Sequence, residues 1–217
     1  MGKEYILFDL DGTISDPIIG ITNGIQLALN HFNITSEREE LKKFIGPPLK
    51  DTFMKYFNFS EEQCKTAIEI YRKYFKEKGM YENKLYNGIK EMLKALKDNG
   101  KVIALATSKP SVFAEEILKY FKIDEYFDFV GGSDLEGKLN NKEKVIKHVL
   151  ENLKVEDLDS VIMVGDRKYD LIGASNLNID TIGVLYGYGS REELEMYNPN
   201  YIAETVEMIN EIILKND

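Results

Sequence analysis

Four aspartates, set as two pairs behind two apolar runs, are the residues in this chain best suited to chemistry. The first pair closes the run Tyr5-Ile6-Leu7-Phe8 as Asp9-Leu10-Asp11-Gly12-Thr13. Side chains alternate along a strand, so Asp9 and Asp11 fall on one side. Carboxylates that close repel each other unless a cation or a shared proton neutralises them. A pair like this at the end of a hydrophobic strand suits a metal site, with one carboxylate as nucleophile and the other as acid and base. Asp11-Gly12 is also a hairpin dipeptide, so this segment alone does not decide the matter.

The second pair follows the run Val161-Ile162-Met163-Val164 as Gly165-Asp166-Arg167-Lys168-Tyr169-Asp170. Gly165 lets the chain leave the strand, and Asp166 and Asp170 share a face if a helix begins near Asp166. An N-cap aspartate plus a surface aspartate would fit this segment in isolation. It would not explain why two strands end the same way. Four carboxylates at the ends of two parallel strands describe a hard-cation site, and oxygen-only ligation favours magnesium over zinc.

A hydroxyl and a cation join them. The apolar run from Lys101 to Ala106 closes on Thr107-Ser108-Lys109-Pro110, with Pro110 and Ser111 opening the next helix. Further on, Val145, Ile146, Val149, Leu150 and Leu153 form the apolar stripe of a helix. Lys142 lies in the middle of that stripe and Lys144 points nearly opposite. A lysine on a buried face requires an anionic partner, whereas Lys144 and Lys147 read as solvated.

The elements that must position these residues alternate. After the first strand comes a helical stretch with a stripe at Ile21, Ile25, Ala28, Leu29 and Phe32. Ser36 to Glu39 and Ser60 to Gln63 read as capping boxes, with Gly46-Pro47-Pro48 as a break between them. Residues 16–83 therefore read as an all-helical insert, a four-helix bundle. From Lys84 onward strand and helix alternate: a helix closed by Asn99-Gly100, then strands ending at Thr107, near Phe127 to Gly131, at Asp166, near Thr181 to Leu185 and near Ile202. Alternation of this kind means a Rossmann-like parallel sheet flanked by helices, built from residues 1–15 and 84–217. Ligands of such sheets sit beyond the carboxyl ends of the strands, where Asp9, Thr107 and Asp166 all fall.

Composition narrows the partners. A formal charge of -9 over 217 residues argues against a nucleic-acid polymer or an anionic membrane. An anionic substrate must then be met by local cations. The single cysteine, Cys64, excludes an internal disulfide and suits a reducing cytoplasm. Met1-Gly2-Lys3-Glu4 leads straight into the first strand, so no signal peptide is expected, and no apolar run approaches a membrane span. His31 and His148 lie in helical patterns with no matching nucleophile, and Gly187-Tyr188-Gly189 reads as a flexible loop before a Ser190 to Glu193 capping box.

Asp9-Leu10-Asp11-Gly12-Thr13, Thr107, Lys142 and Gly165-Asp166-xxx-Asp170 resemble, in order and spacing, the four motifs of the haloacid dehalogenase superfamily. The helical insert after the first strand resembles the cap of its phosphoglycolate-phosphatase-like members. The resemblance implies a haloacid dehalogenase-like core with an all-helical cap, and a phosphoric monoester hydrolase acting on a small phosphorylated metabolite. It implies Asp9 as nucleophile and Asp11 as acid and base. Magnesium would be held by Asp9, the Asp11 carbonyl, Asp166 and Asp170, and the phosphoryl oxygens by Thr107, Ser108 and Lys142. Cap residues Lys50 and Arg72 are the candidates to meet the substrate's distal group. A 5′-nucleotidase, a sugar phosphomutase and a non-catalytic interaction protein are the competing readings. The expected state is a monomer or weak homodimer.

Overall fold

The protein is described here by a computed structural model covering residues 2–134 and 138–215; the parts of the core assignment that fall on residues 1, 135–137 and 216–217 lie outside the described residues. The chain divides into two compact units, Met1–Ser15 with Leu85–Asp217, and Asp16–Lys84.

The larger unit is built on β1 (Tyr5–Phe8). Ile6, Leu7 and Phe8, fully buried on both faces, make it a central strand rather than an edge. Two short strands, β2 (Ser15–Asp16) and β3 (Lys84–Leu85), mark where the chain leaves and re-enters this unit.

The remaining strands are β4 (Val102–Pro110), β5 (Phe129–Ser133), β6 (Val161–Gly165), β7 (Asp180–Val184) and β8 (Tyr201–Ala203). With β1 they form a six-stranded sheet in the order β5-β4-β1-β6-β7-β8, and every pairing in it is parallel. Phe8 stands in register with Leu105 on one side and Val164 on the other, which brings the ends of β1 and β6 level beside the longer β4. The chain winds outward from β1 through β4 and β5, then returns to β1's other side at β6. Such a switch point leaves a crevice at the carboxyl end of β1.

Helices α1 (Ile18–Asn30), α2 (Arg38–Leu41), α3 (Leu49–Phe57) and α4 (Glu61–Tyr74) belong to the smaller unit. Helices α5 (Ile89–Asp98), α6 (Ser111–Phe121), α7 (Lys142–Leu153), α8 (Lys168–Ser175), α9 (Arg191–Glu195) and α10 (Val206–Leu214) belong to the larger. Val145, Ile146 and Val149 of α7 and Ala174 of α8 pack on the sheet face carrying Leu7, Ala104, Ala106, Val161 and Met163. That packing fixes where the first turns of α7 and α8 lie. Asn141 caps α7, its Oδ1 accepting from the Lys144 amide at 2.9 Å.

In the smaller unit Ser60 and Gln63 form the reciprocal capping box that starts α4. The box expected at Ser36 to Glu39 is absent. Glu37 stands at the N-cap of α2 without a side-chain cap, and the Ser36 amide donates to Gln26 Oε1 at 3.0 Å. A four-residue helix with a tertiary partner for Ser36 has no use for the box. At Ser190 only half of the expected box forms: its Oγ accepts from the Glu193 amide, while Glu193 turns to Arg167 and Lys168.

Candidate active site

Gly12 opens the site. Its φ of +91° lies in the region that favours glycine, and a Cβ there would fall 2.1 Å from Asp166 Oδ2. The turn after β1 can therefore press its backbone against the end of β6, and Asp9, Asp11 and Asp166 share one buried space.

Asp9, Asp166 and Asp170 each turn a carboxylate oxygen to one point, with the three oxygens within 4.8 Å of one another. Asp166 is fully buried; its Oδ2 accepts from the Tyr188 amide at 2.7 Å and its Oδ1 from Thr13 Oγ1 at 3.5 Å. Asp170 sits in the first turn of α8, where its Oδ2 accepts from the Arg167 amide at 3.1 Å. The helix after β6 begins at Lys168, with Arg167 at its N-cap, so Asp166 lies before it. Asp166 reaches Asp170 from the strand end and not by an i,i+4 spacing.

Lys142, the first residue of α7, is buried among these anions. Its Nζ lies 2.9 Å from Asp9 Oδ1 and 2.7 Å from Asp170 Oδ1, and donates a hydrogen bond to the Ala106 carbonyl at 2.9 Å. A Cβ at Gly173 would meet Lys142 Cβ at 3.0 Å, so that glycine of α8 makes room for the lysine stem. Lys144 is exposed, its Nζ donating to Asn140 Oδ1 at 3.0 Å.

Asp11 has a different partner. Its Oδ2 pairs with Lys109 Nζ at 2.7 Å, and both groups are buried. Thr107 is buried at the same strand end, its Oγ1 accepting from the Lys109 amide at 3.2 Å; Ser108 beside it is half-buried.

Burial sets the electrostatics. It pushes the Asp11 carboxyl above the usual carboxylate range against the pull of the Lys109 ammonium. Asp166 is pushed well up by burial and by the charges of Asp170 and Asp9. Asp170 is pushed up to about 6 by burial, with Lys142 opposing and Asp9 adding to the rise. Burial works against the charge of Lys142, but Asp170 and Asp9 outweigh it and hold the ammonium charged.

Four buried carboxylates against two ammoniums leave the cluster anionic. Asp9 Oδ1 and Asp170 Oδ1 are buried and lack an aligned hydrogen-bond donor, although Lys142 stands within ion-pair distance of both. Hard oxygen donors with surplus negative charge and unsatisfied lone pairs fit a divalent cation of the magnesium type. Asp11's carboxylate, drawn to Lys109, is not one of the three that converge.

The structure therefore brings Asp9, Asp11, Thr107, Lys142, Asp166 and Asp170 to one end of the sheet. Lys50 and Arg72 lie elsewhere in sequence and in the other unit, both exposed, with Lys50 paired to Glu61 at 2.8 Å. Three features escaped the sequence reading: Lys109, the Thr13 hydroxyl, and the segment Tyr186 to Tyr188, which ties to Asp166 and, through the Tyr186 hydroxyl, to the Thr13 carbonyl at 2.9 Å.

A parallel sheet with this switch point and this acidic cluster defines a phosphoryl-transfer fold of a known kind: the chain belongs to the haloacid dehalogenase-like hydrolases, matching that family over residues 6–184. It is 40% identical to a 5′-nucleotidase of Pseudomonas aeruginosa over 96% of this chain and 94% of that one. It is 28% identical to a phosphoglycolate phosphatase of Colwellia psychrerythraea over 98% and 96%. A crystal structure of a predicted phosphatase from Clostridium acetobutylicum superposes with a TM-score of 0.96 at 49% identity, covering 99% of this chain and all of that one. The chain is a phosphoric monoester hydrolase of this superfamily. Among the described residues no helix is long and apolar enough to cross a membrane.

Proposed function

We propose that the protein is a magnesium-dependent phosphatase that hydrolyses a small phosphomonoester through an aspartyl-phosphate on Asp9. The observation that carries this reading is the division of labour between two aspartates with one residue between them: Asp9 turns to the anionic cluster and Lys142, Asp11 to Lys109. A nucleophile must meet the phosphorus beside fixed positive charge, and an acid and base must stand apart from the metal ligands. Bound at Asp9, Asp166 and Asp170, magnesium supplies the charge that lets a dianion approach a carboxylate.

In this reading Asp9 attacks phosphorus in line. Asp11 gives its proton to the leaving oxygen and later takes one from the water that hydrolyses the acyl phosphate. Lys142 and the Thr107 hydroxyl, with Ser108 beside it, hold the equatorial oxygens. The raised proton affinity of Asp11 supports its role as an acid at neutral pH. Asp170 orients Lys142 while contributing to the metal site.

For the substrate, the relative at 40% identity is a 5′-nucleotidase and the one at 28% a phosphoglycolate phosphatase, which favours nucleoside 5′-monophosphates over the phosphoglycolate-like acid expected first from the sequence. The test is phosphate release from nucleoside 5′-monophosphates, phosphoglycolate and hexose phosphates, with and without magnesium, alongside acid-quench mass spectrometry of the peptide holding Asp9. A magnesium-dependent rate and a phosphoryl mass shift at Asp9 are expected. Equal rates in a chelator, or a phosphopeptide elsewhere, would overturn the mechanism.

A further inference from the structure

Lys109 is a buried cation that the reaction scheme above does not use, and the fold goes to some length to put it where it is. Pro110 restricts Lys109 to extended backbone. Across the β4–β5 ladder, Ala106 pairs with Gly131 and Pro110 with Ser133, so four steps along β4 answer two along β5. Two extra residues are bulged out of β4 at its carboxyl end, and bulges re-aim side chains.

The bulge is accommodated by Gly132, where a Cβ would fall 2.4 Å from the Lys109 carbonyl oxygen and 2.7 Å from the Ser111 amide. It is tied by the Thr107 hydroxyl, which accepts from the Lys109 amide. Continued past the strand, the register of Phe8 with Leu105 sets Asp11 level with Ser108, inside the irregular stretch between Ala106 and Pro110. From that stretch Lys109 Nζ stands 2.7 Å from Asp11 Oδ2.

We propose that Lys109 is the positioning residue for Asp11: the bulge delivers its ammonium so that the Asp11 carboxylate is held apart from the Asp9–Asp166–Asp170 cluster and pointed for proton transfer. This rests on the reading of Asp11 as acid and base. Asp11 follows Asp9 by two residues, and a divalent ion held at Asp9, Asp166 and Asp170 would compete for its carboxylate. Lys109 is the local charge that opposes that competition. Its contribution is direction and not acidity, because a cation at this distance disfavours the protonated carboxyl.

The two roles separate experimentally. kcat/KM covers the steps up to alcohol release, where Asp11 acts as acid. Single-turnover decay of the phosphoenzyme reports the step where it acts as base. Lys109→Met keeps the stem and removes the charge. Positioning predicts a loss of about 10²-fold in kcat/KM for a nucleoside 5′-monophosphate and a comparable slowing of phosphoenzyme decay. kcat/KM for 4-nitrophenyl phosphate, whose leaving group needs no proton, should hold within about threefold. Lys109→Arg should recover part of both losses, and Lys109→Met should add nothing further in an Asp11→Asn background.

A faster or unchanged acid-dependent step in Lys109→Met, or losses that multiply in the double variant, would overturn the proposal. So would equal losses on both substrates in the single variant. If Asp11→Asn itself shows no dependence on the leaving group, the acid–base reading of Asp11 falls and this inference with it. Thermal melts of the full chain, and magnesium titrations followed by intrinsic tyrosine fluorescence, identify a variant that has merely lost its fold or its metal site.

Discussion

In the smaller unit the interior is apolar, with rings packed among aliphatic side chains: Phe53 stacks on Phe59 at 5.6 Å, Phe32 lies 4.5 Å from Phe59, and Tyr71 stacks on Phe75 at 5.5 Å. At the carboxyl end of the sheet the interior holds four carboxylates and two ammoniums. Among the described residues of the smaller unit no carboxylate or ammonium is buried; its buried polar side chains are the hydroxyls of Thr22 and Thr52. Apolar burial stabilises the fold, whereas buried charge destabilises it unless paired. One region is thus arranged for stability and the other concentrates charge that burial disfavours.

The sharpest break in that contrast is at Asp9. Asp9→Asn should reduce phosphate release to background while the protein melts as a folded chain, because an amide is a poor nucleophile and a poor metal ligand. Asp11→Asn should follow with a loss of about 10²–10⁴-fold in the proton-transfer steps. Wild-type turnover by Asp9→Asn would end the mechanism.

Next come the two lysines of α7. Lys142→Ala removes the ammonium that stands within 2.9 Å of Asp9 and 2.7 Å of Asp170, and about 10²–10³-fold in kcat should go with it. Lys144→Ala, on the exposed side of the same turn, should leave kcat and KM as they were. Equal losses from the two would show that burial does not separate them.

The reciprocal experiment is in the ring core. Phe53 is fully buried, and Phe53→Ala should cost about 3–5 kcal/mol by denaturant unfolding. Turnover of 4-nitrophenyl phosphate per folded molecule should fall far less than in Asp9→Asn. A large kcat loss with unchanged stability would invert the assignment of the two regions.

A smaller effect tests the charged region's instability. Folding raises the proton affinity of Asp166 and of Asp170, the latter to about 6, so the folded chain binds more protons than the unfolded one in that range. Stability of the metal-free protein should therefore fall as pH rises from about 4 through about 6. Magnesium bound at these carboxylates would compete with those protons, so its stabilising effect should grow over the same interval and vanish in acid. Asp166→Asn should raise the metal-free Tm, because it removes a charge that Asp9 and Asp170 repel, and should abolish the magnesium shift. A pH-independent magnesium shift in calorimetric melts would argue that the ion binds elsewhere.

The smallest effects belong to Lys50 and Arg72. Both are exposed, and Lys50 already has Glu61. Their alanine variants should leave Tm and 4-nitrophenyl phosphate hydrolysis unchanged. If the helical unit selects substrate through them, the ranking of natural substrates by kcat/KM should shift; an unshifted ranking leaves them as surface charges.

Much of this molecule can be read along the chain because its signals are local. Val161 to Val164 and Tyr5 to Phe8 are apolar on both faces, which a parallel strand covered by helices requires, and both lie in the parallel sheet. Lys142 falls inside the stripe of Val145, Ile146 and Val149 by helical period alone, and it is buried. The Ser60 box needs only a four-residue spacing, and it forms. Ser36 carries the same spacing and fails, because a tertiary partner, Gln26, takes its amide.

What lay beyond the sequence depended on how separate strands end beside each other. Nothing in the sequence marks the two-residue mismatch between β4 and β5, and it is within that irregular stretch that Lys109 meets Asp11. Asp166 meets Asp170 through a tight exit from β6 and not through a shared helix, and the Tyr188 amide that donates to it comes from 22 residues away in a segment with no charge to advertise it. Periodicity records which side of its own element a residue occupies. It carries no record of bulges, strand-end turns or backbone amides, since these depend on the space that neighbouring elements leave, and that space exists only once the sheet has closed around β1.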